Sequence, residues 1–334
     1  MHTLLAAAEH ISDPNPLMIL PFGVMLLSIA LMPFINAHWW EHHYPKVAVG
    51  LGAITVVYYL FALHDGARLL EVAHEYISFI SLIGSLFVVA GGIHITVKGE
   101  SRPWVNAVFL FFGAVISNVI GTTGASMLLV RPWIRMNKYR ITAFHVVFFI
   151  FIVSNVGGCL TPIGDPPLFL GFLKGVSFFW PTEHMLLPML LLSGVLLVIY
   201  AGLDAFLYRR EGKGNKPGIG DDLDEAAQEF GRLGLEGKVN ILLLAAVVLV
   251  VLMSGVWRPG ITFDVYHVPV ELQNLARDVL LVLIALLSLA LTRSQSRLAN
   301  GFSWFPIVEV AKLFAGIFIT IVPVIAILKA GEAG

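Results

Sequence analysis

Between the apolar runs Ile141–Val153 and Leu168–Trp180 lies Ser154-Asn155-Val156-Gly157-Gly158-Cys159-Leu160-Thr161-Pro162-Ile163-Gly164-Asp165-Pro166-Pro167. Each run is too short to cross a bilayer alone, since a helical crossing takes about 20 residues. Together they read as one crossing, 141–180, broken in its middle. Glycine and proline at this density do not hold a regular helix, so several backbone N–H and C=O groups lose their intrahelical partners. Unwound backbone at membrane depth is tolerated where it is buried in protein or lines a watery cavity, and such breaks build the midplane sites of secondary transporters. Asp165 then falls where an unpaired charge costs most.

The surrounding chain fits a membrane. It has 334 residues, 57% of them hydrophobic and 13% charged, and a mean hydropathy of +0.84. That balance implies an all-α polytopic membrane protein rather than a soluble domain. A net charge of −1 argues against a nucleic-acid partner, and Cys159, the one cysteine, excludes an internal disulfide and a cysteine-based zinc site. The apolar runs are Leu17–Ile35, Val47–Leu63, Tyr76–Val97, Pro103–Val130, Ile141–Trp180, Met185–Tyr208, Val239–Trp257, Asp278–Thr292 and Ser303–Leu328. Lys and Arg concentrate in loops 36–46, 98–102, 131–140, 209–238 and 293–302, while loops 64–75 and 258–277 hold only Arg68, Arg258 and Arg277. By the positive-inside rule the first set is cytoplasmic and the N-terminus lies outside, in a bacterial-type inner membrane.

This orientation constrains Pro103–Val130. Lys98 and Arg102 precede it, and Arg131, Arg135, Lys138 and Arg140 follow, so it leaves and returns on one side. It is too short for two crossings and too long for one, which predicts a re-entrant helical hairpin over 103–130. Its centre, Ser117-Asn118-Val119-Ile120-Gly121-Thr122-Thr123-Gly124-Ala125-Ser126, would carry hydroxyls, an amide and turn-permitting glycines to a tip about half-way through the bilayer. Tip and break would meet near the midplane. The domain plan is an exposed tail at 1–16, a first transmembrane half at 17–208, a cytoplasmic linker at 209–238 with a short surface helix near 224–233, and the start of a second half at 239–334.

The break motif and the hairpin residues Asn118, Thr122 and Thr123 resemble the ion transporter superfamily of NhaD-type sodium/proton antiporters, arsenite exporters and citrate or dicarboxylate carriers. The likeness runs from about Tyr76 onward and is nearest the NhaD-type branch. It implies an inverted-repeat transporter fold, each repeat a re-entrant hairpin followed by a broken helix, with ions held between the tips. No second hairpin or comparable break follows Lys238, so the second repeat is incomplete and the chain is expected to be the N-terminal portion of a longer protein.

The candidate ion- and substrate-binding residues are Asp165, Asn155, Thr161, Gly157, Gly158, Asn118, Thr122, Thr123 and Ser126. Sodium is a hard cation suited to carboxylate, carbonyl and hydroxyl oxygens, and it is placed at Asp165, Asn155 and Asn118. Asp165 also has a structural reading as the cap of the helix that Pro166 and Pro167 begin. Glu309 and His145 are candidate proton relays, with a local pair to Lys312 the plainer reading of Glu309. Asp204, five residues before Arg209, reads as a solvated helix end. His38 and His42 have the i, i+4 spacing of a helical metal site, but Trp39, Trp40 and Tyr44 mark an interfacial belt, and an amphipathic junction is the reading preferred there.

These residues point to a sodium/proton antiporter needing no cofactor beyond the transported Na+ and H+. Its partners are the lipid bilayer, sodium ions and protons, with a homodimer as a further expectation. No arginine is expected deep in a span, which disfavours the main alternative, a sodium-coupled citrate or dicarboxylate carrier. An intramembrane aspartyl protease is a remote second alternative. Gly164-Asp165 is half of the required motif with Pro162 in place of its first glycine, and of the other carboxylates only Glu309, not Asp204, could supply the second member of the dyad.

Overall fold

A computed structural model describes residues 14–96, 102–138, 140–210, 234–265 and 268–331. Residues 1–13 of the expected tail, residues 98–101 of the expected loop and most of the linker with its surface helix lie outside these residues. In chain order the helices are α1 (Leu20–Val57), α2 (Gly66–Ala90), α3 (Pro103–Ile120), α4 (Thr122–Met136), α5 (Ala143–Ile152), α6 (Pro166–Leu173), α7 (Trp180–Arg210), α8 (Lys238–Val256), α9 (Leu272–Leu291), α10 (Ser294–Ala299), α11 (Phe305–Thr320) and α12 (Val322–Ala330). Seven helical stretches among the described residues are long and apolar enough to cross a membrane. The chain is an all-α polytopic membrane protein, as lipid demands of backbone that must satisfy its own hydrogen bonds. It divides into two compact units, one of residues 1–80, 262–271 and 304–334, the other of 81–261 and 272–303.

In the first unit α1 is two antiparallel limbs, 20–35 and 37–57, joined at Asn36, whose backbone leaves the helical region (φ −153°, ψ 83°). Met25 and Ala48 would lie about 35 Å apart on a straight helix, yet both lie against Gly316. Asn15 N–H likewise donates to Tyr58 Oη at 2.8 Å. Asn36 Oδ1 accepts the Trp39 N–H at 3.0 Å and so starts the second limb. The two limbs cover the two expected apolar runs, but the expected loop at 36–46 is a one-residue turn followed by helix. The second limb's buried face, Trp40, Tyr44 and Ala48, runs straight through that supposed loop at a spacing of four residues. A Cβ on Gly316 would come within 2.9 Å of Ala48 Cβ, so α11 approaches α1 as closely as small residues permit. Phe79 of α2 stacks on Phe314 with centroids 4.7 Å apart, and Tyr76 Oη donates to Ala311 O at 2.9 Å. Strands Thr262–Val265 and Val268–Glu271 pair antiparallel in this unit.

In the second unit α3 and α4 form a hairpin. Asn106 Nδ2, near the start of α3, donates to Asn137 Oδ1, just past the end of α4, at 2.9 Å, and Phe109 stacks on Trp133 with centroids 5.5 Å apart. The turn is Gly121 alone, at φ +77°, a region that suits glycine. Both arms exceed expectation. α3 is 18 residues, about 27 Å, longer than a half-depth dip requires, and α4 continues through Pro132 to Met136 rather than ending at 130.

The broken crossing is two short helices, α5 of 10 residues and α6 of 8. Between them lies non-helical chain with one 3-10 turn at Val156–Gly158. α7 starts at Trp180, before the expected Met185. α9 starts at Leu272 rather than at Asp278, which puts Arg277 inside a span, 1% exposed. The Arg277–Asp278 pair looks like a hydrophilic boundary in the sequence, but Arg277 Nε donates to Asp278 Oδ1 at 2.9 Å and the two charges neutralise each other within the helix. α8 and α9 are tied by Asn240, which donates to Thr292 Oγ1 at 2.8 Å and accepts from Ser288 Oγ at 2.6 Å. Strands His94–Thr96 and Gly234–Glu236 pair antiparallel with His94 opposite Glu236.

Candidate functional site: the hairpin tip and the helix break

The tip of the α3–α4 hairpin closes on the break between α5 and α6 through a set of short polar contacts. Ser117 Oγ lies 2.7 Å from Val153 O, the last turn of α5. Asn118 is used twice. Its Oδ1 accepts the Leu160 N–H at 2.9 Å, and its backbone C=O accepts the Thr161 hydroxyl at 2.5 Å. Thr161 Oγ1 in turn accepts the Gly164 N–H at 3.0 Å. Across the turn, Thr122 N–H donates to Gly164 O at 2.8 Å. The Ser126 hydroxyl lies 2.6 Å from Thr122 O and 2.7 Å from Ser154 Oγ. Three backbone groups freed where the helix unwinds, Val153 O, Leu160 N–H and Gly164 O, thus find partners on the hairpin.

Two glycines make this proximity sterically feasible. A Cβ on Gly157 would sit 2.6 Å from Ala114 Cα of α3, and one on Gly158 would sit 2.7 Å from Gly164 O and collide with the Thr122 methyl. Of the expected site residues, Asn118, Thr122, Ser126, Gly157, Gly158 and Thr161 meet here. Asn155 and Thr123 lie beside the junction but are exposed. Asp165 is half-buried at the head of α6. Its backbone C=O accepts from Leu168 and Phe169 at 3.0 and 3.3 Å, yet its carboxylate makes no capping bond. The capping role therefore fails for the side chain, and the carboxylate has no hydrogen-bond partner among the described residues.

Among the described residues, the one formal charge at the junction is the Asp165 carboxylate. The Leu160, Gly164 and Thr122 N–H groups are spent on Asn118 Oδ1, Thr161 Oγ1 and Gly164 O, and α6 opens with Pro166 and Pro167, which have no N–H. Each carbonyl in the break retains a second lone pair, and Asp165 adds two oxygens. The Asp165 carboxylate together with these carbonyl oxygens suits a cation. Asp165, the hydroxyls of Thr161 and Ser126 and the carbonyls of the break could hold sodium.

A family model described as "Putative citrate transport" (CitMHS_2) matches residues 12–334. The chain belongs to that family. No curated protein and no solved structure matches it. As a CitMHS_2 member with this helical fold, it is a multi-pass secondary transporter, in keeping with the superfamily resemblance carried by the break and the hairpin.

A second polar cluster in this CitMHS_2 chain was not anticipated. Asp204 is fully buried, against the expectation of a solvated helix end. Arg140 forms an ion pair with it, Asn106 Nδ2 donates to its Oδ2 at 3.0 Å, and Tyr200 Oη donates to the same oxygen at 3.3 Å. His145 Nε2 lies 3.3 Å from Oδ1, at ion-pair distance but without hydrogen-bond geometry. The cluster joins the two feet of the hairpin to the start of α5 and to α7, at the opposite end of the hairpin from Gly121. His145, expected as a proton relay, belongs here and not to the tip. Glu309, the other proposed relay, is half-buried on α11 of the first unit, and no ion pair joins it to Lys312 among the described residues. The readable signal for Asp204 was its face: Met189, Ser193, Tyr200 and Asp204 recur at helical spacing and are the inward residues of α7.

Proposed function

We propose that this chain exchanges sodium for protons, with both cations competing for the Asp165 carboxylate between the hairpin tip and the break. The observation that carries the reading is Asp165 itself, a half-buried carboxylate at the head of α6 that has no hydrogen-bond partner among the described residues and lies beside the carbonyls of the break. A proton on Asp165 removes the charge that attracts sodium, so a single carboxylate suffices to couple opposite fluxes. With the positive loops cytoplasmic, the hairpin would enter from the cytoplasmic side of an inner membrane.

One observation favours a second reading, a sodium-coupled carrier of citrate or a related carboxylate. Arg277 lies over the Phe169 ring of α6, with Cζ 5.6 Å from its centroid. Its Nη1 donates to Asn274 and its Nε to Asp278, while Nη2 has no partner among the described residues. A buried guanidinium is a natural carboxylate anchor, and the family description names citrate.

Calorimetry on purified protein separates the two readings. Under exchange, sodium affinity falls as pH drops, Asp165→Asn abolishes sodium binding, and citrate has no effect. Under the carrier reading, citrate and sodium each tighten the other's binding, because coupling is reciprocal, and Arg277→Gln removes the citrate response. Sodium binding that survives Asp165→Asn at wild-type affinity excludes the site itself.

A further inference from the structure

We propose that His38, Glu41 and His42 form a divalent transition-metal site at the head of the second limb of α1. Their ligand atoms lie within 4.8 Å of one another, and all three side chains are exposed. Ligands around a tetrahedral zinc with bonds of about 2.1 Å stand about 3.4 Å apart, a gap that rotation of exposed side chains closes. Two imidazoles and a carboxylate leave a coordination position open and select zinc, nickel or copper over magnesium or calcium, which take oxygen.

Three features give the site more order than its exposure suggests. First, Asn36 caps the limb through the Trp39 N–H, so helix is established from the first turn and His38 and His42 are held at i, i+4 on one face. Second, His42 Nδ1 lies 2.8 Å from His38 O. Donation to that carbonyl places the proton on Nδ1 and leaves Nε2 as a ligand, the orienting contact that metal-binding histidines use. Third, the aromatic residues do not occupy this face. Trp40 and Tyr44 point inward, 6% and 5% exposed, and only Trp39 faces out among the three aromatics read as an interfacial belt. Trp39 is itself engaged by His43, whose ring stacks on it at 4.8 Å and 4° and whose Nδ1 lies 2.9 Å from Trp39 O. His43 makes the same kind of Nδ1 contact as His42, but its ring lies flat on Trp39 and it is not among the three residues whose ligand atoms converge.

The proposal is independent of the ion site at Asp165. The test uses the full chain in detergent, titrated with Zn2+ by calorimetry and with Co2+ followed through its visible d–d absorption. Zinc should bind, and cobalt should show the spectrum of nitrogen and oxygen ligation. His38→Ala and His42→Ala should each weaken zinc binding by at least the roughly 10- to 100-fold that loss of even an outer-sphere partner causes. Glu41→Gln should weaken it less, and His43→Ala should leave it unchanged. All four positions are at the surface, so folding is checked by thermal unfolding in the absence of metal. The proposal is overturned if wild-type protein takes up no zinc, if a double His38→Ala/His42→Ala variant keeps wild-type affinity, or if His43→Ala costs as much as His42→Ala.

Discussion

Burying a carboxylate is tolerated only when its charge is paired and its oxygens are hydrogen-bonded, and Asp204 meets that condition through Arg140, Asn106, Tyr200 and the nearby His145. Breaking such a pair from one side is worse than removing it altogether, because the surviving charge is stranded. Asp204→Leu should therefore destabilise the protein by about 3–5 kcal/mol, while the double variant Arg140→Met/Asp204→Leu should be less destabilised than the sum of Arg140→Met and Asp204→Leu. Thermal unfolding of the four proteins in detergent supplies the cycle, and strict additivity would exclude a direct pair. Sodium binding should survive in the double variant, since His145 is eight residues, about 12 Å of helix, before the start of the break. At this scale the tip was legible and the cluster was not. Asn118, Thr122, Thr161 and the break glycines are conspicuous because hydroxyls, amides and glycines are out of place in a span. Asp204 was masked by its nearness to Arg209 and Arg210 in sequence, although its true partner, Arg140, is 64 residues away.

Among the elements, those whose shape demands unusual backbone were readable. A Gly at φ +77° and a Gly-Gly-Pro-Gly-Asp-Pro-Pro-rich break leave compositional marks that hydropathy alone lacks. Helix starts were less readable. The second limb of α1 and the first turn of α9 begin inside stretches rich in His, Arg and Asp, and only packing decides that these residues are helical. The strand pair of the second unit carries its own consequence. His94 is 7% exposed, and its Nδ1 has no hydrogen-bond partner among the described residues. Burial first of all, with Arg135 and Arg131 adding to it and Glu236 opposing, holds the imidazole below its ordinary protonation range. The folded state thus prefers neutral His94. Its contribution to stability is complete above the unfolded value of about 6.5 and is lost as pH falls from there toward the lower folded value, because the unfolded chain takes up the proton first. Unfolding temperatures compared at pH 7.5 and 5.5 should show a smaller acid-side drop for His94→Gln than for wild type. An equal drop would assign the acid sensitivity to other groups.

For the whole molecule the decisive question is which segments cross and which return, and for the hairpin the charge pattern and the contacts both bring its two ends to one side. Lys98 and Arg102 on one flank and Arg131, Arg135, Lys138 and Arg140 on the other require a return to one side. The Asn106–Asn137 bond and the Arg140–Asp204 pair bring the two feet of the hairpin together. By length α3 alone could cross, so a rival arrangement has α3 as a full span with Gly121 emerging on the far side. Single cysteines at Arg102 and Lys138, in a Cys159→Ser background, test the return that both arrangements share when a membrane-impermeant maleimide is added from each side, and one at Thr123 separates the two. If the hairpin is re-entrant, both should label from the cytoplasmic side, and a third cysteine at Thr123, exposed beside the tip, should not label from outside. Ready labelling of Thr123→Cys from outside would make α3 and α4 two true crossings. The break at 153–165 would then lie near the outer surface, where Asp165 is solvated and the case for a buried cation site is lost.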